Sequence, residues 1–136
     1  MLPDHEIDLD HAVRALRAAD PTLARLMDRV GACGFHATRS KKSPFLALAE
    51  SITYQQLTGK AAATIYGRFH ALYPGKGPTP ERVLETSDEA MRGAGLSRAK
   101  VLAMRDLAAK TIDGTVPGAA RLRTLPDEEI VERLTS

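Results

Sequence analysis

The chain has 136 residues, 43% of them hydrophobic and 26% charged, a composition that suits one soluble domain with its own core and excludes a disordered, charge-rich chain. Its net charge of +2 neither establishes nor excludes a nucleic-acid partner, since a local patch is enough. Cys33 is the sole cysteine, which excludes an intrachain disulfide and fits a reducing compartment, so a cytoplasmic location is expected. The opening Met1-Leu2-Pro3-Asp4-His5-Glu6 has neither the basic nor the apolar region of a secretory leader, and no stretch has the length and apolarity of a membrane span.

Helical signals follow one another along the chain. Ile7, Val13, Leu16 and Ala19 among charges suggest a first amphipathic helix. Asp20-Pro21 reads as an N-cap with proline at the first helical position, opening a helix with Leu23, Leu26, Met27 and Val30 on one face and an end at Gly31 and Gly34. Phe35 to Lys42 is polar and basic and reads as a loop. Ser43-Pro44 opens a third helix with Phe45, Leu48, Ala49 and Ile52 at helical spacing, ending near Tyr54 to Thr58. A fourth carries Ala62, Ile65, Tyr66, Phe69 and Leu72 on one side and stops at Pro74-Gly75-Lys76-Gly77-Pro78. Thr79-Pro80-Glu81 and Ser87-Asp88-Glu89 open short helices, the latter closed by Gly93 and Gly95. Ser97 caps a longer helix whose buried side is expected to hold Val101, Met104, Ala108 and Ile112. Asp113-Gly114 and Pro117-Gly118 make a loop, and Pro126-Asp127-Glu128-Glu129 opens a last helix with Ile130, Val131 and Leu134. No stretch alternates at period two, so the fold class is all-α.

Three stretches stand out by order and spacing. They are Ser51-Ile52-Thr53-Tyr54-Gln55-Gln56-Leu57-Thr58-Gly59-Lys60-Ala61-Ala62, then Gly95-Leu96-Ser97-Arg98-Ala99-Lys100-Val101-Leu102-Ala103-Met104-Arg105-Asp106-Leu107-Ala108, then Leu125-Pro126-Asp127-Glu128-Glu129-Ile130-Val131-Glu132-Arg133-Leu134-Thr135. Together, across nearly the whole chain from Asp10 onward, they resemble the alkylpurine DNA glycosylases of the helix-hairpin-helix superfamily, the 3-methyladenine type. The resemblance implies base-excision repair: an alkylated purine is flipped out of double-stranded DNA and its N-glycosidic bond hydrolysed. Gln56 matches the family's wedge position. A glutamine is long and flat, so its stem can fill the gap left by the flipped base while its amide bonds the orphaned partner. Gly59 is expected to permit the sharp turn. Lys60 sets a cation beside the free N–H groups of the following helix, which suit phosphate.

The DNA-binding residues implied by the resemblance are Gln55, Gln56, Leu57, Thr58 and Lys60 in the first stretch, and Leu96, Ser97, Arg98 and Lys100 in the second. Ser97 has two compatible readings: a plain N-cap, or an N-cap whose hydroxyl and neighbouring N–H groups, with Lys100, bind a phosphate. Arg39, Lys41 and Lys42 form a small basic cluster that reads first as a solvated loop. In relatives the third stretch runs into a Gly-Ile-Gly-X-Trp-Thr-Ala hairpin and a catalytic aspartate that stabilises the developing positive sugar. Neither has a match in this sequence, which holds no tryptophan. Asp106, Asp113 and Asp127 sit outside the family's catalytic context, so no catalytic residue is nominated. The last helix lacks a stop signal, and the chain is expected to be cut before the hairpin.

Residues 1–43 are expected to form N-terminal helices of a subdomain completed elsewhere in relatives, and residues 44–136 an incomplete central helical subdomain. His5, His11, His36 and His70 lack partners at ligand spacing, Cys33 has no nucleophile signature, and the glycines of residues 74–78 follow no strand. No metal or organic cofactor is implied, and neither is the four-cysteine cluster of some superfamily members; an intact relative is expected to be a monomer. The chain alone is expected to be inactive, to bind DNA weakly with a salt slope of roughly −2 to −3 from Lys60, Arg98 and Lys100, and to be unstable or self-associating. The alternatives are a non-catalytic DNA-binding helical module and a helical protein-interaction domain.

Overall fold

A computed structural model describes residues 8–34 and 41–136, and every regular element among them is helical. Arg39, of the basic cluster, and Ile7, assigned to the first helix, lie outside the described residues. The chain divides into two compact units, Met1–Lys41 and Lys42–Ser136.

The first unit is a helical hairpin of α1 (Leu9–Ala19) and α2 (Pro21–Val30). Asp8 caps α1 by accepting from the His11 N–H at 2.8 Å. Asp20 serves both helices. Its N–H donates to the Leu16 carbonyl, and its carboxylate accepts from Thr22 and Leu23 at 2.8 and 3.1 Å, with Pro21 pre-set at the first helical position. Arg17 pairs with Asp28 at 2.7 Å across the hairpin. Leu23 and Met27 are half-buried, whereas Leu26 and Val30 on the same face remain exposed.

The second unit holds α3 (Pro44–Tyr54), α4 (Gly59–Ala71), α5 (Pro80–Glu85), α6 (Asp88–Gly93), α7 (Arg98–Ile112), α8 (Ala119–Leu122) and α9 (Asp127–Thr135). Helix α7 is its axis, packed against α3, α5 and α6, while α3 also packs on α4. Phe45, Ala49, Phe69, Val83, Met91, Leu96, Val101, Met104 and Ala108 fill the core between them. The core is aliphatic apart from a few rings, with Phe69 meeting Tyr73 edge-on at 5.3 Å.

Helix starts follow the side-chain chemistry of their caps. Ser43, Thr58, Thr79, Ser87 and Ser97 each accept an N–H from three residues on. Ile112, expected on the buried side of its helix, is the last residue of α7 and is 52% exposed, and Leu72, the C-cap residue after α4, is 37% exposed. Helix α8 has no signal in the sequence, since its single turn carries no side-chain cap and no periodic face.

Several helix ends are closed by cations rather than glycine. Arg105, from the middle of α7, donates to the carbonyls of Leu84 and Thr86 at 3.0 and 2.6 Å and pairs with Asp88, so it joins the end of α5 to the start of α6. Arg82 donates to the Pro74 and Gly77 carbonyls at 3.2 and 3.0 Å and lies over the Tyr73 ring. Gly95 brings the entry to α7 against α4. At φ 109° it occupies left-handed space, and a Cβ there would lie 2.9 Å from Ile65 Cγ1.

Candidate nucleic-acid interface

Helix α3 leaves helical geometry at Gln55, whose ψ of 130° turns the chain outward. Gln56 then takes φ 58°, the one non-glycine residue in the left-handed region among those described. Thr58 returns the chain to helix, its hydroxyl accepting the Ala61 N–H at 3.4 Å. The turn is closed internally by Leu57 N–H donating to the Tyr54 carbonyl at 3.3 Å. Gln55, Gln56, Leu57, Thr58 and Lys60 are all exposed, with Leu57 at 39%. A long polar side chain is thus held on an exposed two-helix tip, in a conformation that an L residue adopts at a cost of about 1–2 kcal/mol. Strain of this kind persists where surrounding structure imposes it, and it collects at functional sites.

The glycine expected to permit this turn does not. Gly59 is the first residue of α4, lacks a positive φ, and has open space where a Cβ would stand. The left-handed step falls three residues earlier, on Gln56, and Gly59 instead leaves the start of α4 uncovered.

The second stretch divides. Leu96 is 3% exposed and belongs to the core, so its side chain is closed to any ligand and only its backbone could meet one. Ser97 caps α7, accepting the Lys100 N–H at 3.2 Å, and is itself exposed. Arg98, the first residue of α7, is exposed and makes no ion pair among the described residues. Lys100 is half-buried and turns inward: its ammonium donates to the carbonyls of Thr53 at 2.7 Å and Gln55 at 2.9 Å. The cation expected beside a phosphate is therefore engaged at the C-terminal end of α3. Nothing in local sequence signals this, because the bonds span 47 and 45 residues.

The Thr58 and Ser97 caps share one conformation, with φ −66° at both and ψ 150° and 161°. Each is followed by a cation, Lys60 in the first turn of α4 and Arg98 in that of α7. A cation at a helix N-terminus opposes the helix dipole, so each placement disfavours the free helix and suits an external anion. The aspartates have structural posts. Asp106 pairs with Lys110 at 3.1 Å, and Asp127 opens α9. Asp113 accepts from the Thr115 N–H at 2.8 Å, a bond that holds its carboxyl below its ordinary range. Lys42 pairs with Glu50 and lies 5.9 Å from the centre of the Tyr66 ring.

A family model described as HhH-GPD superfamily base excision DNA repair protein matches residues 49–134, from the middle of α3 to α9. The chain belongs to this superfamily. Among its superfamily relatives, DNA-3-methyladenine glycosylase 1 of Schizosaccharomyces pombe is 35% identical over 121 residues, covering 88% of this chain and 53% of that protein. The alkylbase DNA glycosidase-like protein mag2 of the same yeast is 24% identical over 130 residues, covering 94% and 61%. Among solved structures, the S. pombe 3-methyladenine DNA glycosylase Mag1 in complex with abasic DNA superimposes with a TM-score of 0.83 at 33% identity, over 92% of this chain and 61% of that one. The DNA-3-methyladenine glycosidase of Bacillus halodurans gives a TM-score of 0.72 at 32% identity, over 90% and 55%. The chain thus spans little more than half the length of the superfamily proteins it matches. Among the described residues no helix is long and apolar enough to cross a membrane.

Proposed function

We propose that this chain acts in base-excision repair as the wedge-bearing helical part of an alkylpurine DNA glycosylase, whose complete activity is hydrolysis of the N-glycosidic bond of bases such as 3-methyladenine in double-stranded DNA. The observation that carries the reading is Gln56. It is exposed and left-handed at the tip of the α3–α4 turn, within the matched residues. Gln56 enters the gap left by the flipped base, with Leu57 beside it. Lys60 and Arg98, each at a capped helix start, neutralise phosphates on either side. Gln55, Thr58 and Ser97 contribute backbone and hydroxyl groups to the same face, and the Leu96 backbone leads into it. The division of labour is between residues 1–43, two helices of an N-terminal subdomain, and residues 44–136, which carry the DNA-facing turns.

A non-catalytic DNA-binding role is the second reading, favoured by the structural posts of the aspartates: Asp106 pairs with Lys110, Asp113 accepts from Thr115, and Asp127 lies in the first turn of α9. Two experiments test and separate the readings. Fluorescence anisotropy compares a duplex holding an abasic analogue with an undamaged duplex; the wild type is expected to prefer the abasic one and Gln56→Ala to lose the preference. Equal affinity of the wild type for both would overturn either DNA reading. Base release from alkylated DNA is then measured. We expect none from the 136 residues alone, and release of 3-methyladenine above a blank would place a working carboxylate within this chain.

A further inference from the structure

We infer that Lys100 is a positioning residue for the wedge: it holds the Gln56 turn in register with the Ser97 loop, and does not serve as a phosphate ligand. The inference rests on the wedge reading of Gln56 and extends it to a residue of another helix.

The last carbonyls of a helix have no intrahelical partner. At the end of α3, glycine or a Schellman turn would be the usual remedy. Here the chain instead turns out at Gln55 and places a glutamine in left-handed space. The carbonyls of Thr53 and Gln55, on either side of the helix end, both accept from the Lys100 ammonium, at 2.7 and 2.9 Å. Two of its three donors are thus engaged. Thr53 itself is fully buried, its hydroxyl donating to the Ala49 carbonyl at 2.9 Å, so one of the two anchor points belongs to the core.

The placement of Lys100 in its own helix leads to the same conclusion. It lies in the first turn of α7, where the dipole disfavours a cation. The negative end of α3 compensates for that position. Meanwhile its backbone N–H donates to Ser97 Oγ at 3.2 Å. One residue therefore ties the cap of α7 to the carbonyls that lead into the wedge. If either tie slackens, the left-handed conformation of Gln56 loses its support and the turn relaxes toward commoner geometry.

The test uses the full 136-residue chain, with Lys100→Met to remove the donors at similar length and Lys100→Arg to restore them. In amide hydrogen exchange, Lys100→Met is expected to speed the Gln55 and Leu57 amides by about tenfold, the factor that corresponds to ~1.4 kcal/mol. The Met104 amide in α7 is expected to keep its wild-type rate, and Lys100→Arg to restore the turn. In anisotropy, the preference for an abasic-analogue duplex over an undamaged one is expected to fall by about tenfold in Lys100→Met, while the salt slope stays at the wild-type value.

A phosphate ligand would behave oppositely, with the slope shallower by about 0.9 and the preference kept. That result, or unchanged exchange at Gln55 and Leu57, would overturn the inference. A wild type with no preference for the abasic duplex would count against the DNA reading alone, and the exchange rates would still decide the role of Lys100. Should Lys100→Met fail to fold, Lys100→Ala, which also removes the donors but lets water reach the freed carbonyls, takes its place in the exchange measurement. Faster Gln55 and Leu57 amides in that variant would support the positioning role, and unchanged ones would overturn it.

Discussion

Replacing Gln56 by glycine and by alanine separates the strain of the turn from the use of its side chain. Gln56 sits at φ 58° with its side chain exposed, so neither substitution removes buried contacts. Alanine keeps the Cβ that makes left-handed backbone unfavourable, and its stability should stay within about 0.5 kcal/mol of the wild type. Glycine relieves about 1–2 kcal/mol of conformational cost but forfeits roughly 0.5–1 kcal/mol to its greater freedom in the unfolded chain. The net expectation is a protein about 0.5–1 kcal/mol more stable than Gln56→Ala, a rise of a few degrees in melting temperature for a chain of this size. Urea denaturation followed by circular dichroism gives the comparison, with the slope on denaturant checked for constancy. In the anisotropy assay both variants should lose the preference for an abasic duplex equally. Stability would then have risen as function fell, as expected where a strained residue is kept for its role. A glycine variant less stable than the alanine one would be incompatible with a left-handed resting conformation at this turn.

Arg105→Met should cost about 2 kcal/mol, since it leaves the Leu84 and Thr86 carbonyls and Asp88 without their shared donor. Arg105→Lys should recover little of it, because an ammonium cannot span the same fork, as thermal melts of the two variants will show. The Tyr73 hydroxyl is buried beside Thr86, and burial raises it above its ordinary range. Above pH about 10 the unfolded chain ionises its tyrosine while the folded one stays neutral, so stability present below that pH is lost as pH rises through the folded value. Tyr73→Phe should match the wild type closely at neutral pH and unfold at a higher pH in an alkaline titration by circular dichroism. With Lys100 directed inward, the DNA salt slope should be roughly −2, and Lys60→Met and Arg98→Met should each reduce it by about 0.9; a slope unmoved by both would remove these residues from the interface.

The helical plan was legible because its signals are local. Asp20-Pro21, Ser43-Pro44, Thr79-Pro80, Ser87 and Ser97 each announce a start with a side chain that acts within three residues, and the structure uses all of them. The exposed tip at Gln56 was also legible, from the Gln-Gln-Leu-Thr-Gly-Lys run between two periodic faces. What escaped was tertiary. Gly59 attracts the turn's strain on sequence grounds because glycine commonly marks it, while the fold imposes the strain on Gln56. Leu96 went unrecognised as a core residue because it stands alone between a glycine and a cap, without periodicity to show its face. Lys100 was expected to face a phosphate, and Arg82 and Arg105 carried no signal of a role; all three instead close helix ends or loop carbonyls. For Lys100 and Arg105, only the approach of segments distant in the chain reveals that work.

The reach of Lys100 across 45 residues also bears on when the wedge takes shape. A synthetic peptide of residues 44–71 would contain the whole Gln-Gln-Leu-Thr run and both flanking helices, yet it would lack the cation that gathers their carbonyls. Helices of 11 and 13 residues are marginal in water without partners, so such a peptide should visit the left-handed turn only in passing. In the whole chain, contacts between segments far apart in sequence form after loop closure and set the slow part of folding. The Gln56 tip should therefore be among the last features to settle, appearing only once α7 has docked.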